Sequence, residues 1–268
     1  MNSPVISLLS DFGLQDEYVA VMKGVILDIC PAARLVDISH LIAPQDVRSA
    51  AFVLYASYRY FPQGTIHLAV VDPGVGTHRR AVAVRMGSCF FVGPDNGLFS
   101  LILKKETAWE ARLLENAQFR RNPVSSTFHG RDIFAPAAAH LARGVRFDML
   151  GPVCGLISVP WEEPVVGKDT VKGEVIHIDR FGNAVTNVAI ELLEKKAPAR
   201  KWAVRAGRSA VSIRRTYGMV EPGEALALAG STGFIEIAVN QASAASKLEL
   251  HPGTQVTFEL SNLAGPPD

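Results

Sequence analysis

The first hydrophobic run, "VISLLS" at Val5–Ser10, is continuous rather than alternating, the pattern of a strand covered on both faces. After a polar break, Tyr18, Met22, Val25 and Ile29 recur at helical spacing. Asp16 is placed to cap that helix and Pro31 to end it. The alternation then repeats. "RLVDIS" reads as a strand, "PQDVRSAAFVLYASYRYF" as a helix with Pro44 early and Pro62 behind it, and "TIHLAVVD" as a third strand. "AVAVRM" and "CFFVGPD" read as a hairpin turning at Gly87. "RDIFAPAAAHLARG" reads as an Ala-rich helix closed by Gly144, with Pro136 in its first turn or kinking it. Strands alternating with helices predict an α/β N-terminal domain with a mainly parallel sheet over residues 1–156.

The pattern then changes. "SVPWEEPVVGKD" is rich in proline and acid and has no period, which predicts a linker over residues 157–172. Beyond it come the short β-like runs "GEVIHID", "AVTNVAI", "KWAVRAG", "SAVSIRR", "ALALAG", "GFIEIAV" and "TQVTFEL", punctuated by glycine and proline. They predict a smaller all-β C-terminal domain, a barrel or a sandwich, over residues 173–268. A cleft between two such domains is the default place for a ligand.

Composition narrows the function classes. The chain has 268 residues, 48% of them hydrophobic, enough for a sizeable core. A formal net charge of +1 argues against a nucleic-acid partner, which asks for a basic face. Charged residues make up 20%, sparse enough to leave surface for burial between subunits. No stretch approaches the ~20 apolar residues that span a bilayer, so no membrane partner is expected. The N-terminus "MNSPVISLLSDFG" has no basic leader and enters a strand at once. Cys30, Cys89 and Cys154 form no CxxC and read as reduced core thiols. Both features point to the cytoplasm.

Several motifs exceed what connecting turns need. In "SDFGLQDEYV", Asp11 ends the first strand, where ligands of open α/β sheets bind. It either accepts ligand hydroxyls or caps its own turn. The "DFG" is not a kinase motif, because no glycine-rich loop, strand lysine or HRD loop precedes it. Asp16 either serves the helix start or reaches a ligand amine. In "VVDPGVGTHRRAV", Asp72 has the same strand-end position as Asp11, and Gly74 and Gly76 permit a tight turn. Arg79 and Arg80 are either an exposed pair or return a fixed positive charge over Asp72. His129, between Phe128 and Gly130 and followed by Arg131 and Asp132, is either structural or catalytic. No HxH, HExxH or GxSxG occurs, which argues against a zinc site and a serine-hydrolase elbow. In the second domain, "HIDRFGNAVTN" groups Asp179, Phe181, Asn183 and Asn187, either as a hairpin turn or as contacts for an amino acid. "AGSTGFIEIAVNQASAA" adds Ser231, Thr232, Asn240 and Gln241.

Taken together, "SDFGLQDEYV", "VDISHLIAPQDV", "VVDPGVGTHRRAVAV", "VGPDNGLFS", "TFHGRDIFAPAAAHLARG" and "IDRFGNAVTN" closely resemble the S-adenosylmethionine hydroxide adenosyltransferases, relatives of the fluorinase and chlorinase enzymes. The resemblance runs from about Ile6 to Thr257 and is looser after Ile190. It implies attack of water on ribose C5′ of S-adenosyl-L-methionine, giving adenosine and L-methionine, with no cofactor and no metal. It also implies a homotrimer with each site shared between subunits. The family's catalytic set falls on Asp72, Arg79 and His129, and its ribose carboxylate on Asp11. Asp16 falls near the methionine amine, Asp179 and Ser231 on methionine contacts, and Asn183 on an adenine contact. Phe128 and Asn240 complete the expected substrate-binding set. The halogenases carry an aromatic in place of Asp72 and a tyrosine in place of His129, so the resemblance favours water over halide. Thr232 stands where the halogenases follow their serine with an arginine. The alternatives are a halide-using relative and a non-catalytic sensor of adenosine or S-adenosylmethionine.

The chemistry assigned to the set is demanding. Bulk water has a pKa near ~15.7, so free hydroxide at neutral pH costs about 12 kcal/mol. A charged arginine beside the attacking oxygen stabilises developing hydroxide, and His129 or Asp72 is available for its proton. The leaving sulfonium departs as a neutral thioether and needs no acid. Alignment of the reacting atoms contributes a further ~7–11 kcal/mol.

Overall fold

Every second residue of β1 (Val5–Ser10) feeds one of two apolar layers: Ile6 and Leu8 face one cluster and Leu9 the other, all of them buried. The computed structural model describes residues 3–104, 106, 108–198, 202–207 and 209–260, divided into two compact units, 1–161 and 162–268.

In the first unit β1 is followed by α1 (Tyr18–Ile29), β2 (Arg34–Ser39), α2 (Val47–Ser57), β3 (Ile66–Val70), β4 (Ala81–Met86), β5 (Cys89–Pro94), α3 (Ser100–Leu103), β6 (Trp109–Leu113) and α4 (Ala135–Ala142). The sheet order is β2-β1-β3-β5-β4-β6. β2, β1, β3 and β5 run parallel, whereas β4 pairs antiparallel with both β5 and β6. Met22, Ile26, Ala137 and Ala138 from α1 and α4 cover one face; Ala50, Leu54 and Ile102 from α2 and α3 cover the other. This is the expected α/β layer, and the hairpin turns at Gly87 (φ +54°).

Three local expectations are corrected. Asp16 does not cap α1: Glu17 holds the cap position and makes no side-chain cap bond. Asp46, not the region of Pro44, starts α2, and its carboxylate accepts from Ser49 N at 2.8 Å. The expected Ala-rich helix opens with a wide turn at Gly130–Phe134, in which Ala135 N donates to Gly130 O, so that Pro136 falls in the first turn of α4. β6 went unforeseen because only Trp109, Ala111 and Leu113 alternate, around the ion-paired Glu110 and Arg112.

The second unit contains β7 (Val165–Val166), β8 (Thr170–Ile178), β9 (Ala184–Ala189), α5 (Ile190–Lys196), β10 (Trp202–Ala206), β11 (Ser209–Ser212), β12 (Ala225–Ala229), β13 (Phe234–Val239), α6 (Ala244–Lys247) and β14 (Gln255–Leu260). The antiparallel order β11-β10-β14-β8-β9-β13-β12 curls until Ile213, just past β11, bridges Ala227 in β12, so the sheet is a nearly closed barrel. Val171, Val204, Ile235, Ile237 and Phe258 fill its interior. The segment expected as a linker is anchored: Ile157 N donates to Asp95 Oδ1 and Val159 N to Ser100 Oγ, while Val165 and Val166 pair with β8. β8 begins within that segment, at Thr170. Ile190 opens α5 instead of prolonging its strand. Lys201 at the head of "KWAVRAG", and residues 261–268 of the expected β domain, lie outside the described residues.

His67 on β3 is fully buried, its Nδ1 2.7 Å from Ser7 Oγ and its ring stacked on Phe91 at 4.9 Å. Burial lowers its pKa from 6.5 to about 4. The unfolded chain therefore binds a proton that the folded chain refuses. This costs the folded state nothing above pH 6.5 and destabilises it progressively as pH drops towards 4, by up to about 3 kcal/mol. Urea midpoints of the wild type should fall over that window more steeply than those of His67→Gln; equal slopes would remove His67 as the cause.

Candidate active site

Ser10 and Val70 are register partners on the parallel strands β1 and β3, so Asp11 and Asp72 emerge near one another at the carboxyl end of the sheet. Beyond Asp72 the chain reverses: Val75 N donates to Asp72 O and Thr77 N to Gly74 O. Gly76 (φ +76°) is required twice, since its backbone is left-handed and a Cβ there would lie 2.2 Å from Ser126 O. This reversal returns Arg79 over Asp72. Arg79 Nε donates to Asp72 Oδ1 at 2.8 Å and to Oδ2 at 3.0 Å, and Nη2 donates to Oδ2 at 2.5 Å. The side chains are 9% and 6% exposed, so the pair is hardly screened. Arg80, next in sequence, diverges to the buried Asp95, so the two arginines are not an exposed pair.

Arg79 also reaches His129: Nη2 lies 2.6 Å from Nδ1. A guanidinium has no acceptor, so Nδ1 must be the unprotonated nitrogen and Arg79 the donor. Burial, then the positive charge of Arg79, hold the His129 pKa below the usual 6.5, partly opposed by Asp72. The neutral ring therefore carries its proton on Nε2. A base at Nδ1 is blocked by Arg79, and Nε2 is a donor. Of the three groups, Asp72 alone retains acceptor capacity. The 121–129 loop that presents His129 is tied down by the buried Asp132, which accepts from Ser125 N at 2.8 Å and from Arg131.

Asp11, Asp72, Phe128 and His129 line one cavity of about 390 Å³, together with Phe12 and Tyr18. The three aromatic rings pack with centroids 5.1–5.9 Å apart and form an apolar wall. Asp11 Oδ2 accepts from Gln45 N at 2.8 Å, so one carboxylate oxygen ties down the loop before α2, not Asp11's own turn, and the other is left for a ligand. Asp16 is exposed and does not line the cavity.

A second cavity, about 580 Å³, lies in the β unit and is lined by Phe181, Asn183, Tyr217, Asn240, Gln241 and Ser243, among others. Asp179 is engaged in its own turn: Oδ1 accepts from Phe181 N and Asn183 N, both at 2.8 Å, and Oδ2 from Asn183 Nδ2 at 2.9 Å. The turn and ligand readings thus coexist, with Asp179 bracing Asn183. Asn240 Nδ2 is held by Val220 O at 2.8 Å. Ser231 is exposed in the Gly230–Gly233 turn and outside the lining. Sequence reasoning gave no site role to Phe12, Tyr18, Gln45 or Tyr217. Gln45 (φ 68°) is a left-handed residue that carries no glycine signal. Among the described residues no group of three His, Cys, Asp or Glu side chains is placed to hold a metal ion.

A carboxylate–guanidinium–imidazole chain at the carboxyl end of a parallel sheet, opening on a cavity, defines an α/β enzyme. Residues 6–151 match the model of the SAM hydroxide adenosyltransferase N-terminal domain and residues 173–257 that of its C-terminal domain. The chain belongs to this family. It is 44% identical over 262 residues to the (R)-S-adenosyl-L-methionine hydrolase of Thermus thermophilus, covering 94% of this chain and 98% of the relative. The Nocardia brasiliensis fluorinase is more distant, 29% identical over 96% of this chain and 97% of its own. A crystal structure of an uncharacterized conserved protein from Thermotoga maritima superposes with a TM-score of 0.89 at 38% identity, covering 94% of this chain and 99% of that one.

Proposed function

We propose that the protein hydrolyses S-adenosyl-L-methionine to adenosine and L-methionine by attack of water on ribose C5′. The observation that carries this reading is the bridge of Arg79 between Asp72 and His129 on the wall of the first cavity. In the reaction, His129 Nε2–H and the Arg79 guanidinium stabilise negative charge developing on the attacking oxygen, in a shielded site where such contacts are strong. Asp72 takes the proton as the C5′–O bond forms. The C5′–S bond breaks with its electron pair on sulfur, which leaves neutral. Asp11 holds the ribose, and the second cavity takes the adenosyl group through Asn183 and Asn240. Asp16, Asp179 and Ser231 serve the methionine portion. No cofactor or metal takes part.

The test is turnover in ¹⁸O-water with chloride and EDTA present, using both sulfonium epimers, because the Thermus relative is named for the (R) form. Label on the adenosine 5′-hydroxyl is expected. Unlabelled adenosine, a 5′-chloro product, or activity that needs added metal would overturn the reading.

The same proposal makes the protein a cytoplasmic homotrimer whose sites are shared between subunits. No helix among the described residues is long and apolar enough to cross a membrane. Phe181 on the second cavity is 78% exposed, an aromatic side chain that a neighbouring subunit would cover.

A further inference from the structure

Glu236 is an anomaly in the barrel. It lies in β13, a strand buried at every position, and is itself only 9% exposed. No lysine or arginine pairs with it in the described structure; the nearby charged group that acts on it is Asp179, another acid. Burial first, and Asp179 as well, push its carboxyl pKa up from 4.5. An unpaired buried carboxyl is expensive, and an apolar residue at this position would pack the barrel more cheaply.

Among the described residues its one side-chain hydrogen-bond partner is the Tyr217 hydroxyl, which donates to Oε1. Burial and this contact push the phenol pKa well above 10.0, so the hydroxyl stays protonated and remains a donor. Tyr217 itself is 38% exposed and lies in a short helical turn at Tyr217–Met219, outside any strand, with its ring on the wall of the second cavity. Nothing in the sheet ladder fixes that ring; the hydrogen bond to Glu236 does. The space for the carboxyl is also provided: a Cβ on Gly230 would stand 2.6 Å from Glu236 Oε2.

We propose that Glu236 is a positioning residue that holds the ring of Tyr217 against the second cavity as a flat face for the purine of the adenosyl group. The inference rests on the reading that this cavity takes that group. A planar base is recognised by stacking on a fixed aromatic face, and a face that must first be ordered binds less tightly. Glu236 touches no ligand and acts through Tyr217, so its charge matters less than its acceptor oxygen.

The experiment measures binding of adenosine and, separately, of L-methionine to the intact protein by calorimetry. Glu236→Ala and Tyr217→Phe should each weaken adenosine binding about 10-fold, the effect of losing one hydrogen bond to a charged acceptor, and leave methionine unchanged. The double variant should be no weaker than either single one, because both remove the same contact. Glu236→Gln keeps an acceptor for the hydroxyl and should bind adenosine within about 3-fold of wild type. Tyr217→Phe keeps the ring of a partly exposed residue outside any strand and reports even if Glu236→Ala fails to fold. If wild type binds adenosine and Tyr217→Phe binds it equally well, the positioning role is wrong. If Tyr217→Phe weakens methionine as much as adenosine, the role is general packing and the proposal also falls. If wild type loses adenosine affinity on Asn183→Ala and Asn240→Ala but not on Tyr217→Phe, the cavity reading survives and the role of Glu236 does not. If none of these substitutions affects adenosine, the cavity reading itself fails.

Discussion

His129→Ala should lower kcat by roughly 10²–10³ with little change in KM, the loss expected when one preorganised donor to a developing oxyanion is removed. His129→Gln should retain most of that, within about 10-fold of wild type, because the Gln amide nitrogen places a donor close to where Nε2–H stands. His129→Asn keeps an acceptor for Arg79, but its shorter amide carries the N–H away from the position of Nε2–H, and it should resemble Ala. This ranking separates a donor from a base: if His129 took the proton, Gln would be as inactive as Ala. The pH profile gives a second check. Protonating His129 puts a hydrogen on Nδ1 facing the Arg79 N–H, 2.6 Å away, and burial and Arg79 already hold its pKa below 6.5. Activity should therefore be flat down to pH 6.5, fall below it, and lose that acid limb in His129→Gln. An acid limb that persists in the Gln variant would assign the titration to another group.

What the sequence disclosed, and what it hid, follows from how far apart the cooperating residues lie. The alternation of β-branched runs with helical faces gave the α/β layer, because each element carries its own period. "VVDPGVGTHRRAV" disclosed a purpose because glycine is a backbone statement: Gly76 sits where a Cβ would meet Ser126 O. The separation of Arg79 from Arg80 was not legible, since strand alternation into β4 decides it and Asp95 supplies the second partner. Gln45 was hidden for the opposite reason to Gly76: a left-handed glutamine has no compositional mark. Glu236 carries no mark of its own in the short β-like run "GFIEIAV", and only the barrel shows that both faces of β13 are covered. Asp16 shows the converse error, an acid before a helix that does not cap it. The turn at "DRFGN" admits both a structural and a ligand reading in sequence, and Asp179 braces the same Asn183 that faces the cavity.

Two variants that are each nearly inactive should restore one another when assembled together. The residues proposed for chemistry, Asp72, Arg79 and His129, all belong to the first unit, and Asn183, Tyr217 and Asn240 to the second. If each site of a trimer takes its first half from one subunit and its second half from the next, His129→Ala and Asn183→Ala damage different halves. Every mixed trimer then contains at least one interface built from two intact halves. For random assembly of equal amounts in a closed ring, about one interface in four is intact, so activity should rise to roughly a quarter of wild type. Against parents reduced about 100-fold or more, that is a gain of some ~25-fold, far above assay scatter. The two chains must be co-expressed with different tags and isolated by tandem purification, which proves that mixed trimers form. Purification for both tags removes the homotrimers and raises the intact fraction to about one in three. Mixed trimers with no more activity than their parents would place each complete site within a single chain.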